Sequence, residues 1–152
     1  VIGKALGGGL LPVSLFLAKK DVMDVFTPGD HGSTFGGSPL ACAVGQKALE
    51  VLVEEQLVER SATLGDYFMQ QLKQIKSPYV TEVRGKGLLI GLVIDPAKAK
   101  ANAICLALME RGILTKETHA TVIRLAPPLI ITQEQLDFAI EQITKVLTGD
   151  EI

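Results

Sequence analysis

Residues 3–14 read Gly-Lys-Ala-Leu-Gly-Gly-Gly-Leu-Leu-Pro-Val-Ser. Lys4 follows the apolar pair Val1-Ile2 and Gly3, and precedes three consecutive glycines. A charged amine is costly in an apolar, glycine-lined setting, so burial there favours its neutral form. A neutral amine is a nucleophile that forms a Schiff base with an aldehyde. Glycines let the backbone come close to a bulky group. A Walker-type phosphate loop is excluded, because Lys4 precedes the glycines and Ala5 follows it where Ser or Thr is required. Taken alone, the run also fits a surface lysine beside a flexible loop.

A second run, His31-Gly-Ser-Thr-Phe-Gly-Gly-Ser38, sets the hydroxyls of Ser33 and Thr34 side by side between glycines. Hydroxyls and exposed amides in such a loop suit a phosphate or carboxylate. The helix start at Ser38-Pro39 adds free N–H groups and a favourable dipole. An ordinary polar turn capping a helix explains the run equally well. In a third run, Thr121 to Leu129, Arg124 sits among apolar residues of an expected strand. Buried arginine needs a partner, and its fork suits a carboxylate, from a substrate or from the protein itself. His31 and His119 are isolated and lack metal-ligand spacing. Arg84 and Lys86 flank a turn and read as solvated or structural.

These groups must be held by regular elements, and the pattern supplies them. Pro12 to Ala18 has strand character, Lys19 to Phe26 reads as a short helix, and Thr27 to Gly37 is a loop. Ser38 as N-cap and Pro39 as first helical residue open a helical pattern from Leu40 to Ile75. That length calls for a bend near Glu59–Ser61 or near Gly65. Tyr79–Arg84 and Leu88–Ile94 read as strands around a turn at residues 85–87. Ala97–Arg111 is helical with Gly112 as its C-cap. Ile113–Thr115 and Thr121–Leu125 are short strands. Thr132 and Gln135 form a capping box for a last helix. From residue 77 on, this makes an α+β unit.

The chain has 152 residues, 47% of them hydrophobic, which is enough for a real core. Its net charge of −2, without a basic cluster, argues against nucleic acid as the main partner. The two cysteines, Cys42 and Cys105, lie in apolar helical stretches and read as buried free thiols, which fits a reducing, cytoplasmic setting. No apolar run reaches membrane-spanning length. The chain opens on Val1, inside what reads as the end of a strand, so it is expected to be the C-terminal part of something longer.

Together Ile2-Gly-Lys-Ala-Leu-Gly-Gly-Gly, His31 to Cys42 and Val83-Arg-Gly-Lys-Gly-Leu resemble the class III, pyridoxal-phosphate-dependent aminotransferases of fold type I. The run from Thr115 to Ile131 is most similar to the branch of that family acting on ornithine. The resemblance covers essentially the whole chain. It implies an α/β cofactor domain ending at residues 1–37, a linking helical segment 38–76 and a small α+β domain 77–152. It implies that Lys4 carries pyridoxal 5'-phosphate and shuttles protons. It implies that Ser33 and Thr34 reach the cofactor phosphate of the neighbouring subunit in a homodimer. Arg124 would meet a substrate carboxylate, or rest on an acidic residue when the other substrate binds.

The implied reaction passes the δ-amino group of L-ornithine to 2-oxoglutarate. Members of the family are much longer than this chain. The acidic partner of the cofactor ring, the stacked aromatic and the glycine-rich phosphate turn are not found in it, so the chain alone is expected to turn over little. Two other readings are a non-catalytic folded dimerisation module and an acetylornithine or 4-aminobutyrate aminotransferase.

Overall fold

The computed structural model describes residues 1–149 and divides the chain into two compact units, Val1–Gln56 and Leu57–Ile152. The segment 38–76 contributes one helix to each.

In the first unit a 3-10 turn, Lys4–Gly7, is followed by the short helix α1, Lys20–Met23, and by α2, Pro39–Glu54. Ser38 caps α2, its Oγ accepting from the Ala41 amide at 3.5 Å, and Pro39 occupies the first turn, where no N–H is needed. The Pro12–Ala18 segment does not form the expected strand. Only Leu15 pairs, bridging Ile2 through two backbone hydrogen bonds of 2.8 Å. Among the described residues no neighbouring strand extends that bridge, and Phe16 and Leu17 are exposed.

The long helical pattern breaks at Glu55–Gln56, before either expected position. Gln56 takes φ 50°, a left-handed conformation that no helix interior tolerates. Gly65 instead lies inside α3, Leu57–Gln74. Its missing side chain serves a close approach: a Cβ there would stand 2.2 Å from the Gly87 carbonyl carbon.

The second unit is built on β1, Val80–Lys86, β2, Leu89–Ile94, β3, Lys116–Thr118, and β4, Val122–Leu125, in the antiparallel order β1-β2-β4-β3. The β1–β2 hairpin is tighter than expected, since the strand continues through Gly85 and Lys86 and only Gly87 and Leu88 turn. The Ser61 hydroxyl accepts from the Leu88 amide at 3.3 Å and ties that turn to α3. After β2, Asp95 closes a turn by accepting from the amides of Ala97, Lys98 and Ala99, which delays α4 to Ala101–Glu110.

Gly112, at φ 82°, ends α4 as expected. Its amide returns to the Met109 carbonyl and that of Ile113 to Leu108, the paired bonds of a left-handed helix cap. Ile113 is thus spent on the cap, and β3 begins at Lys116, not at Ile113. Thr132 and Gln135 form the expected capping box at the start of α5, Gln133–Thr148.

Helices α3, α4 and α5 pack together and against the sheet, burying Ile90, Leu92, Ile94, Ile104, Leu108, Ile123, Leu136 and Ile143 almost completely. Arg60 pins the segment before α5, donating to the carbonyls of Leu129 and Ile131. Cys105 is buried in this core, and burial pushes its thiol up from its ordinary value. Cys42 is exposed, contrary to expectation, because α2 buries only Gly45.

The contact between Gly65 and Gly87 sets how α3 lies on the hairpin. Gly65→Ala should destabilise the second unit by about 1–3 kcal/mol or more, since the atom met is backbone and cannot rotate away. Denaturant unfolding followed by circular dichroism measures this, and an unchanged midpoint would contradict it.

Candidate active site

Lys4 opens the 3-10 turn at φ 58°. A residue with a side chain is uncommon in that left-handed region. Holding one there costs on the order of 1–3 kcal/mol, and such residues gather at functional sites. The turn sends Leu6 and Gly7 inward, where Gly7 approaches Val13, and leaves Lys4 and Ala5 exposed. The expected burial of Lys4 is therefore corrected. The residues of this glycine-rich run that are buried are Leu6 and Gly7, and Lys4 is not among them. Lys4 lines an open cavity of about 520 Å³ with residues 9–14. A larger apolar groove of about 740 Å³, between α2 and residues 6–15, includes neither Lys4 nor the hydroxyl pair.

The loop before α2 consists of successive tight turns. Thr27-Pro28-Gly29-Asp30 closes with the Asp30 amide on the Thr27 carbonyl, and Gly29 takes φ 101°. This is the position where a Pro-Gly turn needs glycine. Ser33 then closes a turn onto the Gly36 amide at 3.2 Å, and Phe35 one onto the Ser38 amide, with Gly37 at φ 71°. Gly36 lies so close to Ser33 that a Cβ would meet its Cβ at 3.2 Å. The hydroxyls of Ser33 and Thr34 are exposed and have no hydrogen-bond partner among the described residues. Lys4 and this hydroxyl pair belong to the same unit but do not line the same cavity. His31 stacks obliquely on Phe26, ring centroids 6.2 Å apart, which is a structural role.

Arg124 is also placed differently from expectation. Along β4, Ile123 and Leu125 are buried, so Arg124 alternates onto the opposite, open face of the sheet. It has no ion pair among the described residues. Its apolar sequence neighbours face the core and it does not. His119 holds φ 52° and Ala120 φ 62° in the β3–β4 connection, so both belong to its turn. Among the described residues no cluster of His, Cys, Asp or Glu could hold a metal ion, and no helix is long and apolar enough to cross a membrane.

Asp30 fastens the turn that precedes the hydroxyl pair. Its carboxylate accepts from the Thr27 amide at 2.7 Å and the Thr27 hydroxyl at 2.9 Å, and these bonds, the amide foremost, hold it below its ordinary value of 3.8. A depressed carboxyl stabilises the fold above the ordinary range, and the contribution is lost as pH falls through its folded value. In a pH titration followed by NMR, Asp30 should titrate below 3.8. Thr27→Val, which keeps the amide, should move it only part of the way back. A midpoint at or above the ordinary value would contradict the turn geometry.

The family description "Aminotransferase class-III" matches residues 1–147. An ornithine aminotransferase 2 of Staphylococcus aureus is 60% identical over 146 residues, which are 96% of this chain and 36% of that protein. Among solved structures, an acetylornithine aminotransferase from Elizabethkingia anophelis superposes with a TM-score of 0.89 at 50% identity, over 95% of this chain and 39% of that one. The ornithine δ-aminotransferase of Plasmodium falciparum gives 0.91 at 48%, over 95% and 38%. The chain thus spans a little over a third of the length of the relatives it matches. Lys4, the hydroxyl loop and the small antiparallel sheet all lie within the matched span, and the chain belongs to the pyridoxal-phosphate-dependent class III aminotransferases of fold type I.

Proposed function

We propose that this chain is the C-terminal portion of an ornithine aminotransferase, which moves the δ-amino group of L-ornithine to 2-oxoglutarate. The products are glutamate semialdehyde and glutamate. The observation that carries this reading is Lys4: a free, exposed amine, held left-handed on a glycine-rich turn and opening onto a cavity. The donor set fits pyridoxal 5'-phosphate. An amine is available for its aldehyde, and two hydroxyls not engaged by protein are available for its phosphate.

Bound there, the cofactor would supply an aldehyde and an electron sink for negative charge developing on the substrate carbon. Lys4 would hold it covalently. Released and deprotonated, the same amine would act as general base on the hydrogen of the substrate's reacting carbon. Ser33 and Thr34 would hold the phosphate of a second copy's cofactor, which makes a homodimer part of the working site. Arg124, unpaired and on an open face, would orient a substrate carboxylate by a bidentate contact. Residues 1–37 would end the cofactor domain and 77–152 form the small domain. The free thiols fit a reducing, cytoplasmic setting. Ornithine is favoured over acetylornithine as donor because the relative named for ornithine is the more similar, at 60% against 50% identity.

The test is reductive trapping. The chain is incubated with excess pyridoxal phosphate and borohydride, then digested for mass spectrometry. The cofactor's mass should appear on the peptide containing Lys4 well above the level at other lysines, and vanish there in Lys4→Ala. In the complete enzyme that contains this chain, prior L-ornithine should lower the trapped fraction more than N-acetylornithine does. Equal labelling of all lysines would overturn the assignment of Lys4, and the reverse donor order would assign acetylornithine.

A further inference from the structure

Arg124 does not stand alone on the open face of the sheet. Its register partner on β2 is Gly91, and the partner of Gly91 on β1 is Arg84. On β3 the residue opposite Arg124 is Lys116. Directly paired residues point to the same side of a sheet. Arg84, Gly91, Arg124 and Lys116 therefore form one straight row across all four strands. Each charged member of that row is exposed, while Ile90, Leu92 and Ile123 turn into the core.

Like charges set directly opposite on neighbouring strands destabilise a sheet, yet Arg124 and Lys116 are so placed. Lys86, two residues along β1 from Arg84, adds a fourth cation to the same face. The acid there is Glu82, whose carboxylate lies 3.5 Å from Arg84. That pair is largely solvated, with both side chains more than half exposed, so it holds Arg84 weakly.

Two strand spacings separate the Arg84 and Arg124 backbones, about 10 Å, and Gly91 brings no side chain of its own between them. The space above Gly91 is edged by Val122 and by the Arg84 stem: a Cβ on Gly91 would lie 3.1 Å from Val122 Cγ1 and 4.0 Å from Arg84 Cγ. Arginine forks are planar and carry several donors each, so two of them on either side of a glycine match one carboxylate.

We propose that Arg84 is a second carboxylate-binding residue, closing with Arg124 on one substrate carboxylate above Gly91. The proposal rests on the carboxylate reading of Arg124 and adds to it a partner two strands away. Glu82 acts as the internal counter-ion that Arg84 exchanges for the substrate. Lys116 extends the row beyond Arg124 and attracts the anion without gripping it.

The probe is glutarate, titrated into the full chain at low ionic strength and followed by amide NMR shifts. The wild type should show saturable shifts centred on Gly91. Arg84→Gln and Arg124→Gln should each weaken binding about tenfold or more, the loss of a charged hydrogen bond. Gly91→Ala, which keeps both arginines and adds a side chain between them, should weaken it as well. Lys73→Gln, which removes one positive charge from α3, should leave it unchanged.

If Arg124→Gln weakens binding and Arg84→Gln does not, the clamp is wrong and the role of Arg124 survives. If Arg124→Gln has no effect, or the wild type does not saturate, both readings fall. If Lys73→Gln weakens binding as much as Arg84→Gln, the attraction is diffuse charge and the clamp is wrong. Thermal unfolding of each variant separates loss of the row from loss of the fold.

Discussion

The second unit depends on the burial of Ile90, Leu92, Ile94, Ile123 and Leu125 beneath α3, α4 and α5. Strand side chains alternate with a period of two, so a slip by one residue would exchange the two faces of the sheet. It would drive Arg124 into an apolar core and lift Ile123 into water. Burying an unpaired charge costs several kcal/mol, and exposing a large aliphatic side chain forfeits about 1.5–3 kcal/mol more. Both penalties act in the same direction. The core therefore places the cations in register with one another, although none of them contributes to it.

The first unit works by another principle. Its buried hydrophobic content is slight, with Leu6 the one large side chain among its buried residues. Position is set instead by backbone geometry. Lys4, Gly8, Gly9, Gly29 and Gly37 hold positive φ, and backbone hydrogen bonds close the turns they belong to. Turns of this kind fix where a side chain starts without enclosing it. That explains how Lys4 and the Ser33-Thr34 pair are presented in a defined conformation and yet remain exposed. Exposed aliphatic and aromatic side chains such as Phe16, Leu17 and Phe35 belong to the same unit, as expected of a surface with little of its own to bury them.

What the sequence made legible follows from this division. Local signals were read correctly wherever a few adjacent residues decide the outcome: the Ser38-Pro39 start, the Gly112 cap, the Thr132–Gln135 box and the α+β character after residue 77. Readings failed where the outcome depends on a distant partner. Gly65 looked like a break and is a contact point for Gly87, because nothing in its own neighbourhood reveals the hairpin it meets. Arg124 looked buried because its neighbours are apolar, and strand alternation puts it on the other side of them. Arg84 is solvated, as its sequence reads, but its register with Arg124 passes through Gly91, and only the pairing of three strands exposes that relation.

Chemistry in this chain is accordingly divided by the kind of structure that supports it. A group that must form and break a covalent bond gains from a strained, open turn, because a left-handed lysine has little packing to lose when its side chain moves. A group that must recognise a carboxylate gains from a rigid sheet, because bidentate geometry tolerates little error in position. Lys4, proposed for the first task, sits on a turn, and Arg124, proposed for the second, sits on the sheet. The glycines follow the same division: on the turn they permit conformations, and on the sheet Gly91 supplies empty space.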